Sequence, residues 1–168
     1  MFQAKSDLFV DILDSLFTKA ARHLSMERLK EICSEYTSMR YPLGVIDLSL
    51  ACAHEWDSSD RGLSFWEDGC PANDSRSTAY EQRRKCNQLS FDALAAMDDL
   101  LNEASKPNRP AGAVSYDEAD SLRTNAYNKA LSVKDDLFHF ELYEWYLSRG
   151  MTNQLLEVSS TVVTNYRL

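Results

Sequence analysis

Three histidines, four cysteines and two adjacent acidic pairs are the residues of this chain with the chemistry for catalysis or metal binding. His54-Glu55 opens as the zinc-protease pattern His-Glu-x-x-His does, in which two histidines one helical turn apart ligate the metal. The second histidine position holds Ser58, so the pattern fails. His139 stands between Phe138 and Phe140 and reads as a surface or hydrogen-bonded packing residue rather than a catalyst. Cys33, Cys52, Cys70 and Cys86 form neither a close metal-binding knuckle nor a Cys-x-x-Cys redox pair. Three of them fall in helical patterns, where a free thiol behaves as a small buried hydrophobe, which fits a reducing compartment. Glu67-Asp68 and Asp98-Asp99 are neighbours one apart on helices and so do not face one another as a carboxylate pair must. No phosphate-binding glycine loop, nucleophile elbow or dinucleotide fingerprint occurs. No catalytic, cofactor-binding or metal-ligating residue is assigned, and no enzymatic activity is expected.

Composition narrows the remaining classes. The chain has 168 residues, 44% hydrophobic and 26% charged, enough for one domain with a sizeable core. Five Gly and four Pro are too few turn formers for a sandwich or barrel of many short strands. A formal charge of −8 with scattered Lys and Arg argues against nucleic acid. The one basic triplet, Arg83-Arg84-Lys85, reads as a solvated helix face. Asn73-Asp-Ser75 is formally a glycosylation acceptor, but nothing supports secretion. No apolar run is long enough to span a bilayer, so no membrane insertion is expected.

The elements that must carry these residues are helical. Phe9, Ile12, Leu13, Leu16, Phe17 and Ala20 give one buried face over about 6–22, with Ser6 as its cap. Ser25 caps a second helix whose stripe is Leu29, Ile32, Cys33 and Tyr36, ending near Arg40 before Pro42. Pro42 is placed as the first residue of a third helix, apolar on nearly every side from Leu43 to Ala53 and therefore covered on more than one side. A short helix over 60–68 stops at Gly69, and Asp74 is expected to cap a run over 75–104. The stripe of that run includes Cys86, Leu89, Ala93, Leu94, Met97, Leu100 and Leu101, and Glu81 with Lys85 supplies an i, i+4 pair. A loop over 105–114, flexible or irregular, precedes the capping box Ser115-x-x-Glu118. Ala119, Leu122, Ala126, Tyr127 and Ala130 then point inward, and Asp135 or Asp136 starts a helix running to Gly150. Thr152 caps a short last helix with Leu155, Leu156 and Val158, and the β-branched 161–164 stretch has no strand to pair with. The fold class is all-α: eight or so helices in irregular antiparallel pairs forming one segment over 1–168.

The aromatics bear on partners. Phe65, Trp66, Tyr143, Trp145 and Tyr146 either pack helix on helix or form a groove for a partner's apolar segment, and packing is the preferred reading. In a mixed arrangement Trp145 points inward and Tyr146 sits at a rim.

Three stretches carry a family resemblance. They are Tyr41-Pro-Leu-Gly-Val-Ile-Asp-Leu-Ser-Leu-Ala-Cys-Ala53, the Trp66-Glu-Asp-Gly-Cys-Pro-Ala-Asn-Asp74 turn with its Tyr80–Cys86 helix, and Asp135-Asp-Leu-Phe-His-Phe-Glu-Leu-Tyr-Glu-Trp-Tyr146 with Leu155-Leu-Glu-Val158. In this order they resemble the large inner-ring scaffold nucleoporins of the nuclear pore complex, in which a β-propeller precedes a long α-helical solenoid. Ser159-Ser-Thr-Val-Val-Thr164 departs from the family, which has a proline and an acidic residue there. The resemblance implies a piece of the solenoid with an architectural role at the nuclear envelope. Linker nucleoporins and inner-ring components would be its partners, without nucleic acid, membrane insertion or a small-molecule substrate. The alternative is a helical adaptor of another coat-like assembly. A segment of a solenoid is expected to expose apolar surface at its ends, favouring self-association or a stabilising partner.

Overall fold

Hydroxyl and carboxylate caps decide where this chain starts to coil. The computed structural model describes residues 16–151, apart from 18, 109 and 111. A 3-10 turn at Ala21–His23 leads into α1 (Met26–Ser38). Ser25 Oγ accepts from the Arg28 N–H at 3.2 Å, satisfying a donor that has no partner inside the helix. Pro42 is the first residue of α2 (Pro42–Trp56), where its missing N–H is no loss. α3 (Arg61–Glu67), α4 (Ser77–Ala104), α5 (Tyr116–Leu131) and α6 (Asp136–Ser148) follow. Ser115 Oγ accepts from Glu118 N–H at the start of α5, and Asp135 Oδ1 from Phe138 N–H at the start of α6. Among the described residues there is no strand, so the all-α class holds.

The nearly all-apolar α2, whose composition calls for cover on more than one side by a central place or by helices beyond this chain, is the central helix. It packs against α1, α4 and α5 and divides its side chains between two cores. Val45, Leu48 and Cys52 join Leu29, Ile32, Cys33 and Tyr36 of α1 with Cys86 and Ala93 of α4. Ile46 joins the other core, with Phe91, Leu94 and Met97 of α4, Ala126 and Ala130 of α5, and Phe138, Leu142 and Tyr146 of α6. Each fully buried leucine-sized side chain contributes about 1.5–3 kcal/mol. Because α2 and α4 each serve both cores, the stack is continuous from α1 to α6.

Several boundaries differ from the periodicity reading. The short helix runs 61–67 rather than 60–68, with Gly69 beyond it at φ +78° as the expected helix stop. Asp74 does not cap the long helix. Its Oδ1 accepts from Arg76 N–H at 2.7 Å and its carboxylate pairs with the Arg76 side chain, so it shapes the preceding turn and the helix begins at Ser77. Glu81 pairs with Arg84 at 3.7 Å, not with Lys85. The loop after α4 is irregular but anchored, since Val114 is buried against Ala104 and Ala119. Most of the helix expected over 6–22, and everything expected after 151, lie outside the described residues.

Candidate functional site

The five aromatics singled out in the sequence fall on different sides of α3 and α6. Phe65 and Tyr146 are buried, Trp66 and Trp145 are half-buried, and Tyr143 is exposed. Tyr146 is therefore not at a rim: it lies one turn beyond Leu142 on the core face, its ring 6.1 Å from that of Tyr127. Trp145 points toward the core and stacks on Phe91 at 5.9 Å. The exposed apolar surface of α6 is instead Phe140, Tyr143 and Leu147, which are 38%, 37% and 51% exposed. At i, i+3 and i+7 they form a second stripe, opposite the Phe138, Leu142 and Tyr146 stripe that faces the core, with buried Leu137 at the border between the two. Trp66 of α3 abuts this ridge, its ring 5.1 Å from Phe140. The signal was in the sequence, since a helix with apolar residues at two phases presents two faces.

One buried arginine sets where the ridge stands. Arg83 of α4 is 2% exposed, which corrects the reading of Arg83-Arg84-Lys85 as a solvated face; only Arg84 and Lys85 are exposed. Its Nη1 donates to Asp57 Oδ2 and to Asp60 Oδ1, each at 3.1 Å, and its Nη2 donates to Asp135 Oδ2 at 2.7 Å. Asp57 accepts from the Arg61 and Gly62 N–H groups at 2.8 and 2.9 Å, so it caps α3. Asp135 caps α6. The same guanidinium thus holds the capping carboxylates of both helices that carry the ridge. Burial works to lower the Arg83 pKa, but Asp135, Asp60 and Asp57 outweigh it and hold the group above its ordinary value. Extending the Cys86, Ala93, Met97 stripe back one turn lands on residue 83, which was the available clue.

Two further carboxylates fasten α6. Glu141, nearly buried, accepts from Asn87 Nδ2 at 2.8 Å and Arg84 Nε at 3.1 Å. Burial pushes its pKa up, against the pull of Asn87 and Arg84. Asp98 accepts from Arg123 Nε and Tyr127 Oη, both at 2.7 Å, and meets Arg149 at 3.5 Å, joining α4 to α5 and to the end of α6. Asp98 and Glu141 are spent on these links, and His139 is a packing residue, its Nε2 meeting the Val133 carbonyl at 2.5 Å. Cys33, Cys52 and Cys86 are buried among the helices, while Cys70 is exposed in the turn before α4. Arg84, Lys85, Phe91, Glu141, Glu144 and Trp145 line an open groove between α4 and α6. Arg84 and Glu141 pair across this groove, while Lys85 and Glu144 have no ion pair among the described residues. No described helix is long and apolar enough to cross a membrane.

Comparison with known proteins agrees with this geometry. The model of the family described as non-repetitive/WGA-negative nucleoporin C-terminal matches residues 14–166. Nucleoporin NUP170 of Chaetomium thermophilum is 34% identical over 151 residues, covering 90% of this chain and 10% of that protein. NUP170 of Saccharomyces cerevisiae is 29% identical over 153 residues, and nuclear pore complex protein Nup154 of Drosophila melanogaster 28% over 142, covering 90% and 77% of this chain. Each match spans 10% of the relative's length. The crystal structure of the Chaetomium thermophilum Nup170 CTD–Nup145N complex superposes with a TM-score of 0.79 at 33% identity, over 94% of this chain and 30% of that one. The six stacked helices are thus an α-solenoid segment, and the chain belongs to the non-repetitive/WGA-negative nucleoporin C-terminal family.

Proposed function

We propose that this chain is one solenoid segment of an inner-ring scaffold nucleoporin, working at the nuclear pore complex by protein–protein contact and carrying out no catalysis. The observation that carries this reading is the family match over residues 14–166, which runs through every described helix. The solved relative's complex with Nup145N supports a further nucleoporin as partner. The physical arrangement suits that role. Arg83, Glu141 and Asp98 spend their charge fixing helices to one another, which makes α6 a rigid support for the Phe140–Leu147 ridge. Rigid helical stacks bind extended or helical segments on their free faces. Linker nucleoporins and other ring components are the partners this implies, with architecture and support of transport as the outcome. The test is affinity capture with the tagged chain from nuclear-envelope extract, read by mass spectrometry. Enrichment of nucleoporins over other coat proteins is the expected result. Enrichment of vesicle-coat components instead would assign the chain to a different scaffold.

A further inference from the structure

We infer that Glu141, Asn87 and Arg84 form a proton-sensitive latch between α4 and α6. Arg84 is fastened while Glu141 is ionised and is let go when Glu141 takes up a proton. Glu141 is 6% exposed, and each of its oxygens accepts from one donor on α4. Oε2 accepts from Asn87 Nδ2 at 2.8 Å and Oε1 from Arg84 Nε at 3.1 Å. Asn87 is fully buried, yet its Oδ1 meets no donor among the described residues. A buried acceptor without a donor is a cost that the fold carries unless a second arrangement uses it.

The second arrangement is that of the protonated acid. A carboxylate only accepts hydrogen bonds, whereas a carboxylic acid must also donate one. The proton does not suit Oε1, which faces the Arg84 N–H and its positive charge. On Oε2 it faces Asn87, and a half-turn of the amide sets Oδ1 where Nδ2 stood. The Glu141 O–H then donates to Oδ1, so one hydrogen bond replaces another and Nδ2 takes the place that Oδ1 held. Arg84 is the group that changes partner. Its bond to Oε1 loses the charge of the acceptor, which supplies about half the strength of such a bond. Arg84 is 47% exposed, and Glu81 stands 3.7 Å from the same guanidinium, ready to keep it. The surroundings set the direction. Burial pushes the Glu141 pKa up and Asp135 adds to it, against Asn87 and Arg84, so the proton is taken up above the ordinary carboxyl range. Tyr80 lies near on α4, Glu81, Lys85 and Glu144 rim the groove, and α3 meets α6 through the Trp66 and Phe140 rings.

The test is NMR on the full isotope-labelled chain, from about pH 7.5 down to about pH 4.5. The Glu141 carboxyl carbon is expected to titrate with a midpoint above the unfolded value of about 4.3. In the same step the nuclear Overhauser contact between the Asn87 amide protons and the Glu141 side chain should be lost. Protection of the Arg84 Nε–H from exchange, taken relative to exposed Arg40, should fall about tenfold. Glu141→Gln offers Arg84 a neutral acceptor only, so Arg84 should be unprotected at every pH. Glu144→Gln, on the groove rim, should leave the step where it is. The wild-type titration needs no variant, so the outcome does not hang on whether Glu141→Gln folds. A Glu141 that titrates while the Asn87 contact and the Arg84 protection stay unchanged would overturn the latch. So would a step that survives in Glu141→Gln, or a Glu141 midpoint at the ordinary carboxyl value.

Discussion

Nη2 of Arg83 lies 2.7 Å from Oδ2 of Asp135, between side chains that are 2% and 1% exposed and 52 positions apart in the chain. The other oxygen of Asp135 caps α6, so the charge pair and the helix start are one structure. Through Asp57 the same guanidinium reaches the cap of α3. The relative placement of Trp66 and Phe140, and hence of the exposed ridge, follows from this three-way contact.

Removing the guanidinium leaves two buried carboxylates without their cation. Arg83→Met is therefore expected to destabilise the fold by about 3–5 kcal/mol, since breaking a buried pair from one side strands the other charge. Arg83→Lys keeps the charge but not the fork that reaches Asp57 and Asp135 together, so it should recover only part of the loss. Arg84→Ala, on the half-exposed neighbour, is expected to stay within about 1 kcal/mol. Urea denaturation of the three variants checks the ordering; equal midpoints for Arg83→Met and Arg84→Ala would refute it.

The contrast between Arg83 and Arg84 also shows how far a sequence reading reaches. Helix number and phase between residues 25 and 150 were legible, because Leu29–Tyr36 and Ala119–Ala130 repeat at the helical period and Ser25, Pro42 and Ser115 mark starts. The two faces of α6 were legible in principle from the phases of Leu142 and Tyr143. The Arg83 cluster was not, since its partners stand 26, 23 and 52 residues away and nothing local marks Asp57 as the cap of α3. Asp74 misled for the opposite reason. A side chain that suits a cap also suits a tight turn, and the choice is made by the Arg76 guanidinium beside it.

Gly62 is needed for a close approach. A Cβ there would come within 2.9 Å of Asp57 Oδ2 and 3.0 Å of the Tyr80 backbone, where α3 crosses α4. Gly62→Ala should force the two helices apart and disturb the Asp57 cap, at about 1–3 kcal/mol. Gly69→Asn is the control. Gly69 has left-handed φ and open space around it, and asparagine tolerates that conformation, so a change within about 0.5 kcal/mol is expected. Thermal melts and amide shifts at Tyr80 report both.

Glu141 gives a pH dependence of defined sign. Its pKa is raised in the folded state, chiefly by burial, so the native protein holds this proton more tightly than the unfolded chain does. The stability it contributes is full below the unfolded carboxyl pKa of about 4.3 and is lost as pH rises through the folded value. Glutamine mimics the protonated form and does not titrate. Glu141→Gln is therefore expected to gain on wild type as pH rises above about 5, every other group being common to both proteins. Urea midpoints across that range decide it, and a difference that moves in favour of glutamate as pH rises would contradict the burial argument.

The thiols report on the same stack from inside. Burial pushes Cys33 up to about 11 and Cys52 and Cys86 up to about 12, and all three lie in or against the core shared by α1, α2 and α4. A thiol reagent attacks the thiolate and needs access, and these three offer neither in the native state. Cys70 is exposed in the turn ahead of α4. At about pH 8 native labelling is therefore expected to stop at one thiol of the four, located at residue 70 by mass spectrometry, while denaturant releases the rest. Because Cys86 sits one turn beyond Arg83, Arg83→Met should speed labelling of Cys86 at denaturant levels where wild type still shields it. Rapid native labelling of Cys52 in wild type would mean that α2 is not the enclosed centre of the stack.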